Sequence, residues 1–255
     1  LEIDDIKSLD KFYTIYLSKQ IKKFLKKNNK HEIDFISSHG HTVLHQPSLG
    51  ITYQVGNLPI LAKLINKKVI CDFRFKDIEM GGQGAPLVPV GEIKLFHQLD
   101  TFVNLGGFAN ITLKKRKKII AYDICPVNLI LNMLANKINK PFDNKGVIAS
   151  KGKLIPELEK KLNNLKFFKL KPPKSLGFEW VKENIFPIFE TFQNDSINDV
   201  LNTYTIFIAK QISYALRGRK EAFVTGGGTF NSFLIRQIKN RTSCTLVIPE
   251  EKIIN

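Results

Sequence analysis

The sequence predicts a two-domain α/β protein, and three observations carry that prediction. Short β-branched runs alternate with helical stretches through the first hundred residues. From Thr101 three strand-like runs follow one another directly. After a helical stretch at 127–138 and a long amphipathic one at 197–216, strand and helix alternate again.

Leu9, Phe12, Tyr16, Phe24 and Leu25 fall on one face of an opening helix, with lysines opposite, ending near Asn28. Residues 33–37 and 51–55 read as strands. A helix starts at Asn57-Leu58-Pro59 and runs through 61–65, and 69–73 is a β-branched strand. Together they predict a mostly parallel sheet with helices on its faces. In the second half 101–105 and 109–113 are strands joined by Gly106 and Gly107, and 118–123 is a third after a basic turn. Strand 221–225, helix 230–238 and strand 245–248 close the pattern. Three strands, a helix, then alternating strand and helix is the order of a ribonuclease-H-like domain. Two such domains facing across a cleft make the architecture of the actin-like sugar kinases. The expected boundaries are 1–98, an incomplete first domain lacking the opening meander, and 99–255.

Composition bounds the function. Of 255 residues 43% are hydrophobic and 24% charged, the balance of a globular protein. Apolar runs are only a few residues long, so no membrane-spanning helix is expected. Three separated cysteines fit a reducing compartment, and four acids in the first ten residues argue against a secretory signal. A cytoplasmic protein is the expectation. The net charge of +16 rests on 39 basic residues of which six are Arg. Arg is the residue that reads bases and clamps phosphates, and the Lys clusters at 22–27 and 114–118 lack interleaved aromatics, so nucleic-acid binding is not expected.

Five segments have the residue types for chemistry. Ser38-His39-Gly40-His41-Thr42 follows a predicted strand, where open α/β sheets place ligand contacts; a polar turn is the alternative. Arg74 ends the predicted strand 69–73 and precedes Gly81-Gly82-Gln83-Gly84. Such a segment lets backbone approach a ligand, and Arg holds carboxylate or phosphate in a fork; the alternative is a domain linker with an internal Asp–Arg pair. Gly106 and Gly107 turn between two strands and can cradle a phosphate. Gly226-Gly227-Gly228 leads a strand into a helix, a favourable place for an anion, yet matches neither a P-loop nor the GxGxxG fingerprint. Asp123 closes the third strand before a helix. It is placed either as a general base or as a helix N-cap.

Taken together, SHGHTVLHQP, YQVGN, CDFRFKDIEMGGQGAPLVP, NLGGFANIT, AYDICPVN, PPKSLGFEW and VTGGGTFNSFL resemble the anhydro-N-acetylmuramic acid kinases, in that family's order and from Ser37 onward. The resemblance implies a two-domain actin-like kinase that opens the 1,6-anhydro bridge of the sugar with water and moves the γ-phosphoryl of ATP to O6. The product is N-acetylmuramic acid 6-phosphate, in peptidoglycan recycling. It implies Asp123 as the catalytic base. It implies sugar contacts from His39, Thr42, Arg74, Gly82, Gln83, Gly84 and Asn128, and nucleotide contacts from Gly106, Gly107, Gly226, Gly227, Gly228 and Asn231. ATP and Mg²⁺ are the cofactors, with Mg²⁺ bridging phosphates and no protein metal ligands assigned. The partners are the amino sugar and ATP, without nucleic acid or membrane, and the reading allows a homodimer.

The sequence departs from the family pattern at His41, where Gln is usual, and at Cys125-Pro126-Val127-Asn128, where GPGN is usual. The family's GTSxDGxD loop and its closing helix with an acidic residue do not occur in this sequence, which begins with Leu, so an internal fragment is expected. Two other readings compete: a ribonuclease-H-like nuclease binding two metals through Asp72, Asp77 and Asp123, and a binding protein without turnover.

Overall fold

The first helix, α1 (Ile3–Lys27), places Asp4 and Asp5 in its first turn and Lys26 and Lys27 in its last, complementing the helix dipole at both ends. The structure is a computed structural model describing residues 3–254 apart from 29–31, 47–48, 83, 86, 116–117 and 173. Two units divide the chain, Leu1–Leu87 and Val88–Asn255.

In the first unit α1 faces inward by a different stripe from the one its apolar residues suggest. Phe12 is 70% exposed and Phe24 62% exposed, whereas Asp10, Thr14 and Ser18 are buried. The Asp10 carboxylate accepts the Thr14 hydroxyl at 3.1 Å, the Tyr53 hydroxyl at 2.6 Å and the Gly56 amide at 2.7 Å. A buried carboxylate with three donors is satisfied, and hydropathy counts it as solvent-facing. The bond to Asp10 and then burial push the Tyr53 phenol up to about 12.

Four short strands follow: β1 (Phe35–Ser37), β2 (His41–Gln46), β3 (Ile51–Val55) and β4 (Lys68–Ile70). The strands β1 and β4 pair parallel; β2 and β3 form an antiparallel hairpin with a register shift between Thr42 and Leu44. Thus the expected mostly parallel sheet is two small sheets, and the end of the 38–42 segment, for which a polar turn was the alternative to a ligand contact, enters strand β2 at His41. Helix α2 (Ile60–Ile65) stops at Asn66, which takes the left-handed conformation at φ 53°. Helix α3 (Phe73–Glu79) begins where the sequence reading extended a strand, so Arg74 sits in its first turn.

The second unit opens with α4 (Val88–Leu95), ahead of the boundary expected after residue 98. The residues after α4 explain its membership. Phe96 packs its ring 4.6 Å from Phe223, and the His97 and Asp100 carbonyls accept the side chain and amide of Lys114. Strands β5 (Thr101–Leu105), β6 (Phe108–Lys115), β7 (Lys118–Pro126), β8 (Glu221–Thr225) and β9 (Thr245–Val247) form one sheet in the order β7-β6-β5-β8-β9. The pairs β5–β6 and β6–β7 are antiparallel; β5–β8 and β8–β9 are parallel. This is the ribonuclease-H-like order read from the sequence.

Helices α5 (Asn128–Asn136), α6 (Pro156–Asn163), α7 (Phe178–Asn184), α8 (Phe186–Glu190), α9 (Ile197–Ala215), α10 (Ser232–Lys239) and the short α11 (Glu251–Ile254) complete the chain. The sheet and α9 share one core with Leu105, Ile111, Ile130, Leu134, Tyr204 and Phe207, all fully buried. Tyr204 donates its hydroxyl to the Pro126 carbonyl at 2.9 Å, fixing the end of β7 against α9. No helix among the described residues is long and apolar enough to cross a membrane.

Candidate functional site

In the second unit three chain segments converge at the ends of β5 and β7. Gly106 and Gly107 turn between β5 and β6. Their carbonyls accept the first amides of α5: Val127 donates to Gly107 at 2.7 Å, Asn128 to Gly106 at 3.2 Å and Leu129 to Gly107 at 3.3 Å. The α5 amides are therefore committed to the hairpin. Because a trans peptide opposes its C=O and N–H, the Gly107 amide is directed away from α5. The Asn128 side chain donates to the Leu105 carbonyl at 3.0 Å, tying helix start to hairpin start.

The glycine triplet after β8 lies against the same strand end. Gly226 has φ +85°, and a Cβ there would stand 2.5 Å from Asn104 Oδ1 and 2.8 Å from the Leu105 carbonyl carbon. A Cβ on Gly228 would meet the Leu105 Cβ at 2.7 Å. These two glycines let the turn press onto β5. A Cβ on Gly227 would have only the Asn128 Nδ2 near it, at 3.8 Å, and one on Gly107 nothing within 4 Å. Gly107, Gly227 and Asn128 thus form the open part of the cluster. A groove of about 490 Å³ starts at Gly107 and Asn128 and continues along Leu129, Asn132, Met133 and Asn136. Asn231 is engaged elsewhere: its side chain caps α10 by accepting the Leu234 amide at 3.0 Å, and it packs over Gly146.

Asp123 lies inside β7, three residues short of its end, opposite Asn110 at the point where the β6–β7 register shifts. The N-cap of α5 is Val127, so the helix-cap alternative for Asp123 falls away. Its carboxylate Oδ2 accepts the Leu176 amide at 2.8 Å, and its own amide donates to the Lys174 carbonyl at 2.9 Å. Burial holds the carboxyl above the usual aspartate range, and the Leu176 amide works against that shift. Next to it Cys125 is fully buried, and burial pushes its thiol up, away from nucleophilic character.

In the first unit His39, Arg74 and the glycine segment are joined by hydrogen bonds. Arg74 Nε donates to His39 Nε2 at 2.9 Å, and its Nη1 donates to the Gly84 carbonyl at 2.6 Å. The Asp77 carboxylate accepts the Gly84 amide at 2.7 Å. Arg74 and Asp77 therefore direct these bonds to the two sides of Gly84 rather than to each other. A Cβ on Gly82 would collide with the Asp77 carboxylate, and Gly84 takes φ +67° under Ile78. Burial presses on the Arg74 guanidinium, and with Arg74's charge it lowers His45 below the ordinary histidine range. Thr42 belongs to a different set: its hydroxyl accepts Gln54 Nε2 at 3.4 Å. Gln83 lies outside the described residues.

Four residues were not among the expected site residues. Asn57 accepts the Ser38 hydroxyl at 2.8 Å and donates to the His39 carbonyl at 3.2 Å, so it shapes the His39 turn. Asp77 enters the sequence analysis only in readings that compete with a sugar site. Leu176 and Lys174 act through backbone, which leaves no mark in side-chain type. Asp72 and Asp77 lie in the first unit and Asp123 in the second; among the described residues no three His, Cys, Asp or Glu side chains group as a metal site.

Comparison with known proteins agrees with this arrangement of motifs. The family model described as anhydro-N-acetylmuramic acid kinase matches residues 1–252. The anhydro-N-acetylmuramic acid kinase of Bacillus cereus strain Q1 is 32% identical over 244 residues, 86% of this chain and 64% of that protein. The one from Pseudomonas syringae pv. tomato is 34% identical over 244 residues, 91% of this chain and 67% of that protein. The chain thus spans about two thirds of the length of these relatives. Among solved structures it is similar to the activator of 2-hydroxyisocaproyl-CoA dehydratase from Clostridium difficile with bound ADPNP, at 15% identity and TM-score 0.39 over 72% of this chain and 61% of that one. The match over nearly its whole length shows that this chain belongs to the anhydro-N-acetylmuramic acid kinase family.

Proposed function

We propose that the chain carries the active-site residues of an ATP-dependent kinase that hydrolyses the 1,6-anhydro bond of anhydro-N-acetylmuramic acid and phosphorylates O6. The observation that carries this reading is the Asp123 carboxylate. It is half-buried, held through Oδ2 by one backbone amide, and caps no helix. A base needs a carboxylate that is ionised at working pH, oriented, and poised with a pKa above the ordinary range. Burial raises the carboxyl above the ordinary range, and the single amide bond orients it.

In this mechanism Asp123 takes a proton from the water whose oxygen bonds to C1. The bond from C1 to the bridging oxygen breaks, and that oxygen, now O6, receives the γ-phosphoryl as the bond to ADP breaks. The proton on Asp123 then passes to solvent. Water, sugar and ATP are consumed one to one, giving sugar 6-phosphate, ADP and a proton. Gly107 and Gly227, with Asn128 between helix and hairpin, favour the phosphates, because their backbone lies open to close approach. Gly106, Gly226 and Gly228 serve that arrangement through packing. Arg74, His39 and the Gly84 segment are proposed for the sugar, since a guanidinium held on two sides presents its remaining donors in a fixed direction.

Mg²⁺ belongs to the same reading. It is held largely by phosphate oxygens and waters with one or two carboxylates. In this reading such an ion would arrive with the nucleotide. When bound it would offset phosphate charge. Cytoplasmic recycling of cell-wall sugar is the proposed setting. The test is to incubate the chain with ATP and the anhydro sugar and to quantify ADP and sugar 6-phosphate together. Equal amounts of both support the reading; ADP without sugar phosphate, or neither, contradicts it for this chain.

A further inference from the structure

We propose that residues 174–176 form a strap that positions the base, with the Leu176 amide as the group that fixes which oxygen of the Asp123 carboxylate stays free for water. This rests on the proposed function and adds to it a positioning residue that acts through its backbone.

The strap grips Asp123 twice. The Lys174 carbonyl accepts the Asp123 amide at 2.9 Å, and the Leu176 amide donates to Oδ2 at 2.8 Å. The first bond fixes the backbone of β7 at Asp123 and the second fixes the side chain. Two bonds from neighbouring residues leave the carboxylate little freedom, and a base must be held closely in place to act. The strap is itself anchored at both ends. Lys174 Nζ donates to the Phe167 carbonyl at 3.0 Å and lies 4.4 Å over the Phe167 ring, which is buried. Phe167 in turn stands 5.3 Å from Trp180 in α7. On the other side Gly177 is the N-cap of α7, whose Val181 is fully buried in the main core.

A backbone donor to one carboxylate oxygen has two effects. It engages a lone pair of Oδ2, which makes Oδ1 the less encumbered oxygen to take a proton. It also favours the ionised form, against the effect of burial.

The test uses two variants of the full chain beside Asp123→Asn. Leu176→Pro removes the N–H; Leu176→Ala keeps it while removing the same side chain. In Leu176→Pro the acid limb of the kcat profile should move up by about one pH unit, as expected for losing a hydrogen bond to a charged group. At neutral pH kcat should drop ~10-fold or more with KM for both substrates little changed, while Leu176→Ala should keep the wild-type limb. A Leu176→Pro limb at the wild-type position overturns the strap. If that variant does not fold, the wild-type amide proton of Leu176 decides by NMR: it should move downfield as Asp123 ionises and stay still in Asp123→Asn. A Leu176 amide that ignores pH in the wild type also overturns the strap. These outcomes differ from failure of the proposed function, which would appear as full activity in Asp123→Asn.

Discussion

Leu176 donates its backbone amide to Asp123 at 2.8 Å across 53 residues of sequence, and this bond counters the burial of the carboxylate. Buried and half-buried carboxylates lose water on folding, which favours the protonated form. The raised value of Asp123 means that net burial still outweighs the amide.

That imbalance predicts a stability effect with a definite sign. The folded pKa lies above the unfolded value of 3.8, so the folded state is favoured by protonation. The favourable contribution is full below the unfolded pKa and is lost as pH rises through the folded one. Asp123→Asn cannot ionise and still accepts the Leu176 amide. Thermal unfolding of the variant at neutral pH should therefore match or exceed wild type, and the difference should vanish toward pH 4. A marked loss of stability at neutral pH would contradict the account of the site's electrostatics.

Arg74 predicts a binding effect. Its bonds to His39 and the Gly84 carbonyl orient the guanidinium in the proposed sugar site. Arg74→Ala should raise KM for the anhydro sugar by ~10-fold or more, in line with loss of a charged hydrogen bond. KM for ATP should change little. Unchanged constants for both substrates would remove Arg74 from the site.

Gly226 predicts a structural effect. Ala there meets both a positive φ and Asn104 Oδ1 at 2.5 Å. Backbone strain alone costs about 1–3 kcal/mol. Urea unfolding of Gly226→Ala should show at least that loss, and a loss under about 0.5 kcal/mol would mean that the turn need not press on β5.

Asp10 predicts a spectroscopic effect remote from the site. Its carboxylate accepts the Tyr53 hydroxyl and holds that phenol up at about 12. Asp10→Asn should bring the Tyr53 titration, followed by ultraviolet absorbance, down toward the ordinary tyrosine value. A titration that stays put would assign the shift to burial.

The second unit was legible in the sequence because its signals are local. The runs 101–105 and 221–225 become β5 and β8 without adjustment, and 197–216 becomes α9 to within one residue. The first unit was less so. Strand β2 does not alternate and carries at its ends His41, Thr42, His45 and Gln46, whose polarity suggests a turn, and α1 buries Asp10 and Thr14 in place of Phe12 and Phe24. Phe73 and Arg74 belong to a helix because Asp72 takes φ 60°, a conformation that ends extended pairing. Within the candidate site, Asp123 and the glycines stand out by residue type. Leu176 was not, since a backbone donor is independent of its side chain. Asn231 was read for its position after the glycine triplet, yet its side chain serves the start of α10.

The central claim is that Asp123 is the base, and turnover by Asp123→Asn tests it most directly. The substitution keeps shape, polarity and the bond from Leu176 while removing the proton acceptor. Measured with ATP and the anhydro sugar, kcat should fall by ~10²–10⁴-fold, with ADP and sugar 6-phosphate lost together and both ligands still bound. Near-wild-type turnover by Asp123→Asn would contradict the assignment.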